Sequence, residues 1–160
     1  MRRRILPFVP FLLLAACGGV SDPIGPCEPG EATYPLWFGP GRGRDRERIE
    51  VQIANDDAER ARGLMGRTEL GAREGMVFLH EEPTRTGFWM KGTSIPLTVA
   101  FWGTDGRISE IVDLEPCDDD PCPVSTPTQE YIGAVEVARG NLERLGVEVG
   151  DRVDLGFGCA

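Results

Sequence analysis

Phe88-Trp89-Met90-Lys91 sets an indole, a thioether and an ammonium side by side. As a strand, this segment puts Trp89 and Lys91 on one face and Met90 on the other. An aromatic platform beside a cation can hold a sugar or an anionic polymer, which makes Trp89 and Lys91 candidate ligand-binding residues. Met65 and Arg67, in the run Gly63-Leu64-Met65-Gly66-Arg67, are candidates for the same role. The plainer alternative makes Trp89 a core residue and lets the Lys91 stem run along apolar surface with its ammonium in water. Met65, Met76 and Met90, with His80, are soft enough for Cu(I), but methionine commonly fills cores, and no metal is expected. Asp113, Glu115 and Asp118 to Asp120 gather carboxylates near Cys117 and Cys122. Two carboxylates across a cleft can hydrolyse a glycoside, yet a run of aspartates reads first as a solvated loop. One histidine and no Gly-x-Ser-x-Gly elbow leave a serine triad without support. No catalytic residue is assigned and no cofactor is expected.

The other reactive position is Cys17, which follows Leu14-Ala15-Ala16. Arg2, Arg3 and Arg4 precede about ten mostly apolar residues, Ile5 to Leu14. This is the basic, apolar and small-residue order of a secretory signal, and Leu-Ala-Ala-Cys resembles a bacterial lipobox. Cleavage before Cys17 and lipid on its sulfur and new amino group are therefore expected, with residues 1–16 as the signal peptide. The run is too short to cross a bilayer, which takes roughly 20 apolar residues; acyl chains at Cys17 would hold the protein to the membrane instead. Gly18 and Gly19, with no aspartate after the cysteine, point to the outer membrane if the cell has one. Loss of the leader leaves 14 basic against 26 acidic residues, a balance of −12 compared with −9 for the whole chain. That charge argues against nucleic acid and against electrostatic binding to anionic lipid headgroups. Four further cysteines, Cys27, Cys117, Cys122 and Cys159, fit two disulfides in an oxidising compartment. Three pairings are open; the favoured one joins Cys117 to Cys122 across a turn and Cys27 to Cys159.

The elements that must position these side chains follow from periodicity. Residues 17–47 are rich in Gly and Pro and read as a tether, except that Tyr34-Pro35-Leu36-Trp37-Phe38 is apolar enough to pack on the domain. Residues 48–160 read as one domain. Ile49, Val51 and Ile53 alternate with polar residues as in a half-buried strand. Asn55 and Asp56 mark a helix start, with Asp57 to Arg62 as a short helix. Gly75 to Leu79, Thr86 to Lys91, Leu97 to Trp102, Arg107 to Leu114, Tyr131 to Val137 and Arg152 to Leu155 are the remaining predicted strands. Asp105-Gly106 makes a tight hairpin between two of them, and Arg139 to Leu145 is a second short helix. The expected fold is mainly β, a compact antiparallel sandwich or barrel-like domain with two short helices.

Several ordered motifs carry a resemblance. Glu59 to Arg67, Gly75-Met76-Val77-Phe78, Phe88 to Lys91 with Ile95-Pro96-Leu97, Glu115-Pro116-Cys117, Pro121-Cys122-Pro123 and Gly146 to Val153 are similar to the domain-of-unknown-function family 192. The resemblance spans Ile49 to Phe157. It implies a compact, mostly β, often exported domain and brings no established activity. Gly92 and Thr98 stand where relatives commonly have Asn and Asp. The expected function is an exported, lipid-anchored envelope protein that acts as a binding module for an envelope protein or polysaccharide. The alternative is a hydrolase acting on an envelope carbohydrate.

Overall fold

The computed structural model describes residues 32–40, 46–118 and 120–156. Its elements run β1 (Tyr34–Gly39), β2 (Glu47–Ala54), α1 (Asp57–Arg62), β3 (Glu74–Thr84), β4 (Phe88–Trp89), β5 (Leu97–Trp102), β6 (Ile108–Leu114), β7 (Val124–Ser125), β8 (Tyr131–Ala138), α2 (Asn141–Arg144) and β9 (Arg152–Leu155). Seven strands form one sheet in the order β6-β5-β8-β3-β2-β1-β9, and β4 pairs with β7 as a separate ribbon. The fold is mainly β with two short helices, as the periodicity predicts. One pair departs from the antiparallel expectation: β2 and β3 run parallel, Val51 opposite Gly75 and Ile53 opposite Val77. Parallel neighbours need a long crossover rather than a hairpin, and residues 55–73, carrying α1, supply it. The apolar patch read as the one packed part of the tether is the whole of β1, paired with β2 on one side and β9 on the other. Leu36 and Phe38 point into the core from it, so the folded domain reaches back into the span assigned to the tether.

The sheet curls until its two edge strands nearly meet. Arg107 bridges Arg152, the Ile108 amide donates to the Asp151 carbonyl at 2.9 Å, and the Val153 amide donates to the Gly106 carbonyl at 2.8 Å. Near-closure removes free edges that could recruit another chain. Strand alternation then feeds two cores. Val77, Ala100, Trp102, Val135 and Val137 face one side, joined by Leu36, Ile49, Ile108 and Val153 and capped by Leu142 of α2. Phe78, Val99, Phe101 and Ala134 face the other, covered by Leu64, Phe88 and Met90 from the connecting segments. β5 and β8 are buried on both faces because both faces are covered, and, Thr98 of β5 and Glu136 of β8 apart, their residues are uncharged and largely apolar.

Helix α1 has no buried residue, so its ends matter more than its packing. Asp56 caps it: its carboxylate accepts from the Glu59 amide at 2.8 Å, and the Glu59 carboxylate accepts from the Asp56 amide at 3.3 Å. This reciprocal capping box satisfies donors the helix cannot. Asp56→Ala is expected to lower stability by about 1 kcal/mol in a urea melt.

Candidate functional site

The second core is not filled to its surface. Between the α1 segment, β4 and the sheet lies a cavity of about 400 Å³, a volume that suits a small organic molecule. Phe78 and Phe88 meet edge to face within its wall, ring centroids 5.0 Å apart. Trp89, 44% exposed, stands at the mouth. Tyr131 closes another side; its hydroxyl donates to the Thr86 carbonyl at 2.8 Å, and its ring meets His80 at 5.3 Å. Thr93 and Met65 complete the lining near Gly63.

One acid belongs to this cavity. Glu136, in the middle of β8 between Met76 of β3 and Val99 of β5, is only 4% exposed. Among the described residues, no hydrogen bond or ion pair reaches its carboxylate. Oε2 lies 3.8 Å from the place a Cβ would occupy on Gly63, and that Cβ would also press on the Phe78 ring at 3.3 Å, so the lack of a side chain at Gly63 lets the end of α1 pack closely beside the acid. Gly63 has φ +47 and would strain with a side chain for that reason as well. Burial without a partner raises the Glu136 carboxyl to about 8. At neutral pH it is therefore mostly a neutral acid inside an aromatic pocket. Burial also pushes the Tyr131 hydroxyl to about 12, against the pull of Arg60. Burial and then Arg60 lower the His80 imidazole, while Asp57 acts the other way. Arg60 itself is occupied: it donates to the Asn55 carbonyl at 2.6 Å and the Leu79 carbonyl at 2.8 Å, and pairs with Asp57 at 2.6 Å.

Of the residues singled out from sequence, Trp89 and Met65 line this cavity, whereas Lys91 and Arg67 do not. Lys91 lies outside: its Nζ is 5.8 Å from the Trp89 ring centroid and 3.0 Å from Asp120 Oδ2. Trp89 and Lys91 do share one face, and Met90 turns inward at 4% exposure. The Lys91–Asp120 pair is exposed, so its contribution to stability is below about 1 kcal/mol. Arg67 donates to Gln52 in a separate groove beside β2 and β3. Met90 is part of the second core and Met76 packs against it. Among the described residues, no three His, Cys, Asp or Glu side chains gather as a metal site. Gly92, at φ +67, lies under the Met65 side chain, and the left-handed region also suits the Asn of relatives. Thr98 is buried and donates to Asp113 Oδ1 at 2.6 Å. Neither Gly92 nor Thr98 lines the cavity.

Cys117 and Cys122 are joined as a disulfide; Cys17, Cys27 and Cys159 lie outside the described residues. The bridge helps to shape the site. It closes the loop leading to β7, which pairs with β4 so that Phe88 faces Ser125 and Trp89 faces Val124. Lys91 also bridges Cys117 directly. Reduction, or Cys122→Ser, is expected to cost roughly 2 kcal/mol by loop entropy and to red-shift the emission of Trp89 as β4 loosens, measured against a Trp89→Phe control. The residue that sequence reasoning passed over is Glu136. A signal was present: a single acid within Tyr131-Ile132-Gly133-Ala134-Val135-Glu136-Val137-Ala138, an otherwise uncharged strand.

Fold and cavity together define a small β domain, a curled seven-stranded sheet with a two-stranded ribbon, enclosing a ligand-sized space with one buried acid. The chain belongs to the domain-of-unknown-function family 192, described as Uncharacterized ACR, whose pattern matches residues 41–155. A solved protein of unknown function from Novosphingobium aromaticivorans DSM 12444 is 35% identical, with a TM-score of 0.68 over 76% of this chain and 84% of that one. A second, from Sinorhizobium meliloti 1021, whose description suggests a transcription regulator, is 28% identical, with a TM-score of 0.70 over 80% of this chain and 97% of that one. No curated protein matches the chain.

Proposed function

We propose that this protein is an envelope lipoprotein, exported and held to the membrane through acylated Cys17, whose β domain binds a small organic ligand. The observation that carries the binding reading is the cavity between α1 and β4, with aromatic walls and an acid that no hydrogen bond or ion pair reaches among the described residues. The leader arginines, the Leu14-Ala15-Ala16-Cys17 order and the Cys117–Cys122 disulfide support export. The hydrolase alternative draws less support, because Lys91 and the acidic loop stand away from the cavity while Glu136 sits in it. A net charge of −9 opposes contact with a polyanion, so nucleic acid is not part of this reading.

The two halves are tested separately. Full-length protein made in a bacterium fed labelled palmitate incorporates the label, and Cys17→Ala does not; label-free wild type sinks the anchor. In a thermal-shift screen of small organic compounds against the full chain, stabilising compounds also change Trp89 emission. A screen in which nothing stabilises the protein sinks the binding module.

A further inference from the structure

We propose that the cavity takes an organic ammonium, its charged nitrogen against the Glu136 carboxylate and its apolar body among Phe78, Phe88 and Trp89. This deepens the binding reading above and rests on it. The argument begins with what Glu136 lacks. A buried carboxyl with no hydrogen-bond partner is costly, and the fold tolerates it in the centre of β8 with neighbours Phe78, Val99 and Ala134 in the same core layer. Gly63 adds no side chain beside Oε2, and Glu136 itself lines the cavity. A ligand that brings a positive charge recovers the most from such a site. It gives the carboxylate its missing partner in a largely apolar pocket, and ring faces around a cation add a further attraction.

Two arginines near the cavity weigh against a cation, but among the described residues neither pairs with Glu136. Around the cavity stand Asp57, Arg60 and Arg62 of α1, His80 of β3 and Tyr131 of β8, while the β5 neighbour of Glu136 is the uncharged Val99. Arg60 is spent on Asp57 and two carbonyls, at the end where His80 and Tyr131 sit. Burial is what raises the Glu136 carboxyl. Arg62 also lines the cavity, and its side chain is exposed to solvent, which screens its charge. The net charge of −9 draws cations toward the domain. Binding converts the neutral acid to a carboxylate paired with the ammonium, and its proton passes to the buffer.

The test uses full-length protein in detergent with three probes of one shape: benzylammonium, benzyl alcohol and benzoate. Calorimetry at pH 7 in two buffers of different ionisation enthalpy reads affinity and proton release together. Benzylammonium is expected to bind at least about tenfold more tightly than either other probe, a difference of about 1.4 kcal/mol, with release of about one proton. Glu136→Gln is expected to lose that preference and the proton release. Equal or tighter binding of benzyl alcohol or benzoate overturns the ammonium assignment and leaves the binding module standing. Retention of the preference in Glu136→Gln also overturns it. No binding by any of the three overturns the assignment for this cavity, and the wider screen then decides the module. Because the wild-type probe comparison stands alone, the inference stays open to refutation if the variant does not fold.

Discussion

Glu136→Gln makes the domain more stable than wild type at pH 8 by several kcal/mol, and no more stable at pH 4. The reason is the distance between two titrations. In the unfolded chain the carboxyl titrates near 4.5; in the folded cavity it holds its proton to about 8. Between those values folding takes up a proton, so wild-type stability falls as pH rises, by about 1.4 kcal/mol per unit. The loss is absent below the lower value, reaches about 3 kcal/mol at pH 7 and levels near 5 kcal/mol above pH 8, as upper bounds. Glutamine has the same shape and no titration, so the difference between the two proteins isolates this one group. Paired urea melts from pH 4 to pH 9 check it. Parallel pH profiles for the two proteins would show that Glu136 finds a partner or water in solution.

Gly133→Ala is expected to be strongly damaging for a single added methyl group. Gly133 lies opposite Trp102 where β8 pairs with β5. A Cβ there would sit 2.3 Å from Cζ2 and 2.4 Å from Cε2 of the indole. Trp102 is only 6% exposed and belongs to the core that all seven strands build. Its ring cannot yield at a flexible end, so it must leave its place or force the strands apart. The expected loss is about 3–5 kcal/mol, that of deleting a large aromatic residue outright. Denaturant midpoints give the value, and a double variant gives the cause. On a Trp102→Leu background the same Gly133→Ala change should cost less than about 1 kcal/mol, because the clashing ring is gone. A single variant within 1 kcal/mol of wild type would mean that the indole does not rest on this glycine.

The contrast between these two residues shows how legible the chain is. Local chemistry is readable: Asp56 before Asp57 to Arg62 is a helix start, Asp105-Gly106 is a hairpin, and Ile49, Val51 and Ile53 make a strand with one face buried. Each depends on neighbours a few residues away. β7 escaped notice because two residues carry no periodicity. The parallel pairing of β2 with β3 escaped because nothing local distinguishes a parallel partner from an antiparallel one. Trp89 and Met65 were identified by residue type and do line the cavity, whereas Arg67, in the same run as Met65, turns to Gln52 in another groove. Glu136 was visible as an odd acid in an apolar strand, but its meaning depends on Gly63 and Phe78, which lie far from it in sequence and beside it in space.

By itself the amino-acid order determined the β class, the two helices and the family, since periodicity, caps and spaced motifs are written along the chain; it favoured the Cys117–Cys122 bridge among three pairings, and the structure chose it. Only the tertiary structure decided that Tyr34–Gly39 is a strand of the sheet, that the sheet's edges nearly close through Arg107 and Arg152, and that an unpartnered carboxylate faces a walled cavity. Those facts concern which distant segments share a surface. Such sharing is set by the summed burial of the two cores, a quantity that no stretch of residues carries alone.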